Sequence, residues 1–478
     1  MTLHQLTSRG FKGQADQALA DSVLQGNLEK LKHNFLARRA RARKSLPEFD
    51  DLRDASVAIK KHTIAHMDLY LEAFETAVKE AGGHVHWARD DAEARAAVLE
   101  ICKGENARTV TKGKTMVGEE IGINPFLEAH GMTPVETDLG EYIIQLADEP
   151  PSHIIAPAIH KNRQQVAALF NEHHPDLADR HDDDVDGLLA DARAVLRQRF
   201  QDADVGITGA NFMIAETGQT VIVTNEGNGD LTQLLPRVHI VLAGIEKIIP
   251  TLEDATTVLR VLARSATGQE MSSYTTFSAG PRRDGDLDGP GAFHVVLIDN
   301  GRSALLGSPT EDILRCIRCG CCLNACPVYG KIGGHAYGST YSGPMGAVLT
   351  PSLAGLSEAQ HLPNASSLCG RCEEVCPMRI PIPKMLRHFR DEEAKSGKAP
   401  AAARRGLALW AFAARRPGLY RWATSLVTAV LGRRGRTRGR FSSLPMAGAW
   451  TRDRDLPAPQ GQSFQQRWNR GERPGGST

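Results

Sequence analysis

Seven cysteines in two short runs are the residues of this chain whose type and spacing could do chemistry. The first run consists of Cys316, Cys319, Cys322 and Cys326. Its spacing, C-x2-C-x2-C-x3-C-P, is typical of bacterial proteins with two iron-sulfur clusters, in which three thiolates hold one cluster and the fourth reaches the other. The second run consists of Cys369, Cys372 and Cys376 and also ends on a proline. The pattern predicts two clusters and one-electron chemistry.

Ser366 stands where the second run would place an eighth thiolate. Crossing the ligands between the runs assigns cluster one to Cys316, Cys319, Cys322 and Cys376. The same crossing assigns cluster two to Cys326, Cys369 and Cys372. Cluster two then lacks a protein thiolate. Three forms stay open for it: a three-iron cluster, a four-iron cluster with a weak oxygen ligand such as Ser366, or one completed by a partner or solvent.

Disulfide bonds and a zinc site are the alternatives for these cysteines. Eight of the nine cysteines lie between positions 316 and 376, and no signal peptide precedes them, which favours thiolates in a reducing compartment. Zinc also binds C-x2-C pairs, but two C-x3-C-P endings favour iron-sulfur. We expect Cys321 to be a small neighbour of the cluster, and Cys102 to be a buried thiol in a helix.

Composition describes a multidomain protein with an uneven charge. The 478 residues carry a net charge of +1, with 41% hydrophobic and 24% charged residues, which is ordinary for a globular protein. Residues 401–478 hold fifteen arginines, no lysine and three acidic residues, so the remainder is acidic. No apolar run reaches the roughly 18 residues of a spanning helix, and the N-terminus has no apolar export core. We expect a cytoplasmic protein, with possible peripheral contact on the inner face of the membrane.

The elements that must position the cysteines follow from hydrophobic periodicity. Residues 15–48 predict a charged helix, and a second helix after Pro47 carries an apolar face formed by Ile64, Met67, Leu71, Phe74 and Val78. From residue 84 to about residue 307, short apolar runs alternate with helices. These runs are HVHWA, TVTKG, PVETDL, HIIAPAI, DVGIT, TVIVTN, HIVLAGI and FHVVLID. The alternation predicts an α/β domain with an open, largely parallel sheet.

Polar, glycine-rich loops in this domain predict a cleft at the carboxyl ends of its strands. The weak candidates for catalysis there are Glu216, Glu226, Asn211 and Lys114. Carboxylates that cap turns are the plainer interpretation of the two glutamates. His153, His160 and His239 could also bind a metal, but no pair has the i, i+4 spacing of a helical site, so we expect satisfied polar side chains.

Three long segments resemble the lactate utilisation protein B family. They begin at EEIGINPFLEAHGM, GITGANFMIAETGQ and CIRCGCCLNACPVYG, and the resemblance covers roughly residues 50–390. It implies a lactate-utilisation domain, similar in fold to sugar isomerases and family I coenzyme A transferases, fused to a mainly helical ferredoxin-type domain with two clusters. It also implies assembly with sister A and C subunits in an L-lactate oxidising system. A serine at 366 is consistent with this family.

The predicted organisation has four parts: an N-terminal helical segment (1–48), a lactate-utilisation α/β domain (49–300), a ferredoxin-type domain (301–395), and a basic C-terminal segment (396–478). The preferred hypothesis is a relay, in which the clusters carry electrons from lactate oxidation towards a respiratory acceptor. This subunit would be the electron-transfer component of a multi-subunit oxidoreductase, because no flavin site is visible. The alternatives are catalysis within the α/β domain, or clusters that only stabilise a scaffold.

The C-terminal segment contains two basic amphipathic stretches. Their apolar positions are Leu407, Trp410, Ala411, Ala414, Leu419, Trp422, Ala423, Leu426 and Val430. Such helices dock on a partner, lie on an anionic membrane surface, or pack on their own domain. Nucleic acid is not expected as a partner in an iron-sulfur context. Residues 433–478 are rich in Gly, Arg and Pro, and are predicted to be disordered.

Overall fold

The computed structural model describes residues 6–177, 184–397, 401–444, 448–451 and 454–472. The chain divides into two compact units, Met1–Glu392 and Glu393–Thr478. Both cysteine runs and all the strands of the predicted α/β domain lie in the first unit.

The first unit contains two sheets. Its described strands are β1 (His84–Ala88), β2 (Thr109–Gly113), β3 (Thr133–Glu136), β4 (Val205–Gly209), β5 (Phe212–Ile214), β6 (Gln219–Thr224), β7 (Val238–Gly244), β8 (Ile248–Ile249), β9 (Tyr274–Ser278) and β10 (Ala292–Ile298). Six of them form a parallel sheet in the order β1-β10-β7-β4-β2-β3. Every residue of the central strand β7 is buried, as expected for a strand covered on both faces.

The second sheet has four strands in the order β8-β5-β6-β9. Strand β6 pairs antiparallel with β5 and β9, whereas β5 and β8 are parallel. The prediction of a largely parallel α/β sheet is therefore confirmed for the larger sheet. The TVIVTN run is a strand as expected, but it lies in the smaller mixed sheet.

Helices surround both sheets. In chain order, those of the first unit are α1 (Phe11–Ala20), α2 (Ser22–Lys44), α3 (Phe49–Ala65), α4 (Met67–Glu80), α5 (Asp91–Gly104), α6 (Met116–Ile121), α7 (Ile123–Glu128), α8 (Leu139–Leu146), α9 (Arg163–His173), α10 (Val185–Gln201), α11 (Asn228–Leu234), α12 (Leu252–Ala266), α13 (Cys321–Ala325), α14 (Tyr329–Ile332), α15 (Gly343–Ala354), α16 (Leu356–Ala359), α17 (Arg371–Glu374) and α18 (Ile382–Lys395). The cysteine-containing part is helical, as predicted.

The N-terminal helices differ in detail from the prediction. The single helix expected over 15–48 is two helices, because Asp21 caps a new helix by accepting hydrogen bonds from the backbone N–H groups of Val23 and Leu24. The next predicted helix is also divided, at His66, into α3 and α4. Its predicted apolar face is nevertheless confirmed, since all five of its residues are buried.

One predicted strand is wrong. The HIIAPAI segment, residues 153–159, is a loop. The Ser152 N–H donates to the Pro157 carbonyl at 3.0 Å, which closes the segment on itself. The Ile155 N–H donates to the His153 ring at 3.2 Å, so the backbone bonds locally instead of joining a sheet.

A single hydrophobic core joins the second sheet to the cysteine-containing helices. It includes Phe212 and Val221 from the sheet, and Leu323 and Tyr329 from the helical part. The two parts of the first unit are therefore packed as one body, and the cysteine loops rest directly on the α/β part.

The second unit is described by itself. Its described elements are α19 (Ala401–Ala414), α20 (Pro417–Gly435), β11 (Arg440–Phe441), α21 (Gly448–Thr451), β12 (Leu456–Pro457) and α22 (Phe464–Asn469). The antiparallel pair of β11 and β12 gives local order to part of the stretch that was predicted to be disordered. The rest of that prediction, at residues 445–447, 452–453 and 473–478, falls outside the described residues. No described helix is long and apolar enough to cross a membrane.

Candidate metal centre and adjoining cleft

One small cavity in the first unit is lined by four cysteines from the two runs: Cys316, Cys319, Cys322 and Cys376. The rest of its lining is mainly apolar and includes Ile317, Met345 and Ile380. A pocket that gathers four thiols among apolar side chains suits a metal cluster, because thiolates are soft ligands and the surroundings exclude water.

The other three cysteines of the runs form a second group. Burial raises the pKa of the Cys326 thiol, and the nearby Cys369 thiolate raises it further. Burial also raises the pKa of Cys372 to about 12, with contributions from Cys326 and Cys369. Four cysteines drawn from both runs therefore line one cavity, whereas Cys326, Cys369 and Cys372 are linked by their effects on one another's pKa, and their ligation of a second cluster stays a prediction.

The two cysteine loops share a backbone conformation. Arg318 and Leu368 have φ values of 57° and 55°, and each precedes the second thiol position of its run. The following glycines, Gly320 and Gly370, have φ values of 69° and 83°. Each loop thus has left-handed backbone on both sides of its second thiol position, at Arg318 and Gly320 in the first loop and at Leu368 and Gly370 in the second. This conformation makes both loops turn tightly around their cysteines.

Ser366 occupies the position in the second loop that Cys316 occupies in the first. Its hydroxyl oxygen accepts a hydrogen bond from the Leu368 N–H at 3.1 Å. Arg390 donates to the Ser366 carbonyl oxygen at 2.6 Å and holds the start of the loop. The side chain therefore caps its own turn, and its role towards cluster two stays a prediction.

The crowded thiols of the first group resist ionisation without a metal. Burial raises the pKa of Cys319 and Cys322 well above the usual range, and neighbouring thiolates add to the effect. Burial similarly raises the pKa of Cys376 to about 12. Bound iron would supply the positive charge that holds such thiols as thiolates. The residues present therefore fit an iron-sulfur cluster.

Three buried cations lie within electrostatic range of Cys316: Lys60, Lys247 and Arg318. Burial lowers the pKa of Lys60 to about 7 and that of Lys247 to about 8. Lys60 donates to the carbonyl oxygens of Glu246, at 2.5 Å, and Ile248, at 3.0 Å. Positive charge beside a cluster ligand favours the reduced, more negative state of a bound cluster.

The N-terminal helices hold the second cysteine loop. Arg53 of α3 donates to the Cys376 carbonyl oxygen at 2.6 Å, and Arg39 of α2 donates to the Val375 carbonyl oxygen at 2.8 Å. The first loop is held from the α/β side, where His153 and Asn324 share a hydrogen bond of 3.0 Å. The cysteine geometry thus depends on elements distant in sequence.

A buried ion network also ties the first loop to the α/β part. Arg318 donates to Glu246 at 3.1 Å, and Arg302 donates to the same carboxylate at 2.7 Å. Arg302 also forms a double hydrogen bond with Glu120, at 2.9 and 2.7 Å. The Arg302 and Glu120 side chains are both fully buried. Paired, hydrogen-bonded charges of this kind fix one arrangement of the loop on the sheet.

Comparison with known proteins gives three matching family models. The LUD domain model matches residues 71–298, the 4Fe-4S dicluster domain model matches residues 312–380, and the model for the C-terminal part of lactate utilisation protein B matches residues 381–473. Among curated proteins, lactate utilization protein B of Bacillus subtilis is 40% identical over 460 residues, covering 95% of each chain. The protein of that name from Geobacillus thermodenitrificans is 41% identical over 470 residues, covering 98% of each.

The chain belongs to the lactate utilisation protein B family. The similarity also extends further than the predicted range of 50–390, since the C-terminal model and the relatives include the basic tail. A DUF162 family protein from Deinococcus radiodurans, 18% identical, covers 48% of this chain with a TM-score of 0.28. The match of residues 312–380 to the 4Fe-4S dicluster domain model supports an iron-sulfur cofactor in this chain.

A cleft of about 540 Å³ in the first unit opens at the carboxyl ends of the parallel strands. Three of the four catalytic candidates line it: Lys114, which follows β2, Asn211, which follows β4, and Glu226, which follows β6. Lys114 forms ion pairs with Asp138 and, at 3.4 Å, with Glu226.

Glu216 does not join the other candidates. Its carboxylate accepts a hydrogen bond from the Leu252 N–H at 3.2 Å, at the start of α12, and it is not among the residues that line the described cleft. This contact fits the plainer interpretation of Glu216 as a capping carboxylate.

The cleft and the four-cysteine cavity share part of their walls. Ile154, Arg318 and Cys319 line both. A small molecule in the cleft would therefore lie next to a predicted cluster ligand.

The three histidines considered for metal binding are in different places. His153 bonds to Asn324, and His239 shares a hydrogen bond of 2.8 Å with Thr208, so both are satisfied polar side chains. His160 lies near Glu149 and His335, a group whose potential ligand atoms are all within 4.8 Å of one another. The Glu149 carboxylate is already paired with Lys161 at 2.5 Å, which lowers its value as a metal ligand.

Sequence reasoning did not find the buried cations. On α3, Arg53, Ser56, Lys60 and Thr63 recur at helical spacing and are all buried. A polar stripe on a helix ordinarily faces water, so the sequence predicts an exposed face here. The only signal for burial was the presence of basic residues in a chain that is predicted to bind negatively charged clusters. Lys247 and Arg302 belong to no motif, and Arg318 is an x position of the first C-x2-C spacing, so the roles of all three depend on tertiary contacts.

Proposed function

We propose that this chain is the electron-transfer subunit of an L-lactate oxidation system. It carries two iron-sulfur clusters that relay electrons from substrate oxidation towards a respiratory acceptor. The observation that carries the proposal is a single cavity lined by four cysteines from both runs, in a region that matches the 4Fe-4S dicluster domain model. The lactate substrate rests on the names of the relatives.

The electron count supports two one-electron sites. Oxidation of lactate to pyruvate releases two electrons and two protons, and iron-sulfur clusters accept electrons singly. Cluster one is proposed to bind Cys316, Cys319, Cys322 and Cys376. Cluster two is proposed to bind Cys326, Cys369 and Cys372, with a fourth site left to a three-iron form, to Ser366, or to a ligand from solvent or a partner. Sister A and C subunits are the proposed partners.

The residues of this chain have separable tasks in the relay. The thiolates would hold the clusters, the buried cations near Cys316 would favour the reduced state of cluster one, and Arg39 and Arg53 keep the second loop in place. The shared core between the helical part and the α/β part would hold both clusters in a fixed arrangement for electron transfer.

The ligand assignment is tested by anaerobic purification, iron quantification and EPR of single variants. Cys376→Ser is expected to remove cluster one, and Cys369→Ser to disturb only cluster two. Cys321→Ala is the matched control, because Cys321 lies within the first run but donates to the Val375 carbonyl oxygen at 3.6 Å. Loss of a cluster in Cys321→Ala, or the same spectrum for both serine variants, would refute the crossed assignment.

The relay itself is tested in a reconstituted system with the A and C proteins. L-lactate is expected to reduce the clusters of the wild-type subunit, and the Cys376→Ser variant is expected to lose lactate-dependent reduction of an added acceptor. Undiminished turnover in that variant would mean that the clusters only stabilise the subunit.

The second candidate, catalysis within the α/β domain, is favoured by the grouping of Lys114, Asn211 and Glu226 around one cleft. Glu226→Gln is expected to abolish turnover only in that case.

We also propose peripheral contact of the second unit with an anionic membrane surface. Helices α19 and α20 expose large apolar side chains, among them Trp410, which is 61% exposed, and Trp422, which is 64% exposed. Arginines lie beside them in sequence, so the helices combine an apolar surface with positive charge. The full chain is expected to co-sediment with phosphatidylglycerol vesicles, and a chain ending at residue 399 is expected to stay in solution. Equal sedimentation of both would contradict this.

A further inference from the structure

Two histidines from distant parts of the chain meet beside a cavity of about 220 Å³ in the first unit. His160 belongs to the loop before α9, and His335 lies between α14 and α15. Their ring centroids are 4.4 Å apart, with an angle of 62° between the ring planes. Both residues line the cavity, and so do Glu149 and Asp21. These four side chains therefore share one space that borders both the α/β part and the cysteine-containing helical part.

The His160 ring has one nitrogen without a partner. Its Nε2 atom lies 2.6 Å from the Glu149 carboxylate, which only accepts hydrogen bonds, so this nitrogen carries the ring proton. The Nδ1 atom is buried and has no hydrogen-bond partner among the described residues. Only 10% of the side chain is exposed. A buried lone pair that no donor reaches is costly, so it indicates a missing ligand.

The His335 ring is held in the same way. Its Nε2 atom donates to the Pro150 carbonyl oxygen at 2.7 Å, so the Nδ1 atom of the neutral ring holds the lone pair. Metal-bound histidines almost always donate their other ring N–H to a carboxylate or a backbone carbonyl, which fixes the tautomer and the ring orientation. Both histidines therefore have the support that a metal ligand needs, from Glu149 in one case and from Pro150 in the other.

We propose that the Nδ1 atoms of His160 and His335 bind one Zn²⁺ ion, with the Glu149 carboxylate as the positioning group for His160. Imidazole is a preferred ligand of zinc. Zinc binds nitrogen at about 2.0 to 2.1 Å, so two nitrogens on one ion are at most about 4.2 Å apart. One potential ligand atom from each of Glu149, His160 and His335 already lies within 4.8 Å of the other two. A small rotation of the rings brings the nitrogens to one ion, and water from the cavity completes its coordination.

The charges that line the cavity favour a cation. Lys161 pairs with the Glu149 carboxylate at 2.5 Å, so these two charges cancel. Asp21 uses one carboxylate oxygen to cap α2, and no ion pair among the described residues neutralises it. Two neutral rings beside about one uncompensated negative charge attract a divalent cation and repel an anion.

The ion would join two parts of the first unit that already touch. The Gly334 N–H donates to the Ser152 hydroxyl at 3.3 Å, next to the site. Zinc that binds the folded chain and not the unfolded chain would stabilise this junction. The site goes beyond the proposed relay, because none of the seven cysteines of the two runs takes part in it. Iron content and zinc content therefore report on the two proposals separately.

The test uses the full chain, purified anaerobically with its iron retained and washed with EDTA before Zn²⁺ is added. Zinc and iron are quantified together, and the zinc affinity is measured by competition with a chelating dye. About one zinc ion per chain is expected in addition to the iron. A glutamine amide can replace the Nε2 donor of a histidine but offers no Nδ1 ligand, so His160→Gln and His335→Gln are each expected to weaken zinc binding at least tenfold.

His86→Gln is the matched control. His86 belongs to another close histidine pair, in which its Nε2 atom lies 3.0 Å from the Nδ1 atom of His294, so these two nitrogens already share a hydrogen bond. This variant is expected to keep the zinc affinity of the wild type. Glu149→Gln is expected to weaken zinc binding about tenfold without changing the visible spectrum of bound Co²⁺, because the positioning group is altered and the ligands are not. The two ligand variants are expected to change that spectrum.

X-ray absorption spectroscopy of zinc in the wild type provides a measurement that does not depend on how a variant folds. Only nitrogen and oxygen neighbours are expected. Sulfur neighbours, or zinc uptake matched by loss of iron, would place the ion in the cysteine runs and overturn the proposal. Absence of retained zinc would also overturn it, as would unchanged affinity in His160→Gln and His335→Gln, or an equal loss of affinity in His86→Gln.

Discussion

Replacing Arg302 by methionine is expected to destabilise the chain by about 3 to 5 kcal/mol, the usual cost of breaking a buried ion pair from one side. The Arg302 side chain is fully buried and donates to Glu120 at 2.9 and 2.7 Å and to Glu246 at 2.7 Å. Methionine occupies a buried site readily, so the loss comes from the charges rather than from a cavity.

The two carboxylates are affected unequally. Glu246 keeps Arg318 at 3.1 Å. Glu120 keeps only neutral donors, the Tyr341 hydroxyl at 2.5 Å and the Asn300 amide at 2.6 Å. Most of the cost therefore comes from a buried Glu120 carboxylate without a cation.

The cost is expected to depend on pH with a definite sign. In the wild type, burial raises the pKa of Glu120, but Arg302 outweighs this and the pKa lies below its ordinary value. The pair therefore adds stability above the unfolded pKa of about 4.3, and this is lost as the pH falls. In Arg302→Met the cation is lost and burial is opposed only by the hydrogen bonds from Tyr341 and Asn300, so the folded pKa of Glu120 is expected to rise and the charged carboxylate to cost stability at high pH. The difference between the two proteins is expected to be larger at pH 8 than at pH 5.

The assay is urea unfolding followed by far-UV circular dichroism, on proteins of equal iron content, because bound metal adds to the apparent stability. Arg260→Met is the matched control. Arg260 pairs with Glu48 at 2.6 Å, but both side chains are nearly half exposed, so the expected loss is about 0 to 1 kcal/mol. Adding Glu120→Gln to Arg302→Met is expected to restore part of the stability. Equal losses in Arg302→Met and Arg260→Met at pH 8 would refute this reasoning.

Two further predictions concern the cysteine loops. Ser366→Cys is expected to supply an eighth thiolate and lower the reduction potential of cluster two, because Ser366 occupies the position of Cys316; an unchanged potential and cluster type in an EPR-monitored redox titration would mean that residue 366 does not face the cluster. Burial lowers the pKa of His153 to about 4. Wild-type stability is therefore expected to fall from pH 6.5 towards pH 4, because the unfolded chain binds a proton that the folded chain excludes. The urea midpoint of His153→Gln is expected to fall less between pH 7 and pH 5 than the midpoint of the wild type. Equal falls in the two proteins would contradict the assignment of this pH dependence to His153.

The helix and strand predictions succeeded where burial follows a simple period. The apolar face of α4 and the buried strand β7 were both evident from the sequence, because apolar side chains recur with the geometry of the element. Residues 153–159 have the composition of a strand but form a loop, because Ser152 and Pro157 close the segment and the His153 ring takes a backbone N–H. Local composition carries no information on such closing contacts.

The catalytic candidates were only partly predictable. Parallel strands bring their carboxyl ends to one edge, so loops after β2 and β4 were expected to meet, and Lys114 and Asn211 do line one cleft. Glu216 follows β5 and contacts the start of α12 instead, whereas Glu226 follows the neighbouring strand β6 and lines the cleft. Strands β5 and β6 pair antiparallel, so their carboxyl ends lie at opposite edges of the smaller sheet, and strand composition does not reveal this pairing.

The spacing of the cysteines by itself determined the chemistry of this protein, because thiolates at fixed short intervals are a local property of the chain. It also identified Ser366 as the position without a thiolate. Only the tertiary structure decided the surroundings of those cysteines. Buried arginines and lysines from distant elements reach the cysteine loops, and Lys247 lines the cleft beside them. Residues that have no common motif acquire a common role because folding places them in one low-dielectric region, where a single charge acts strongly.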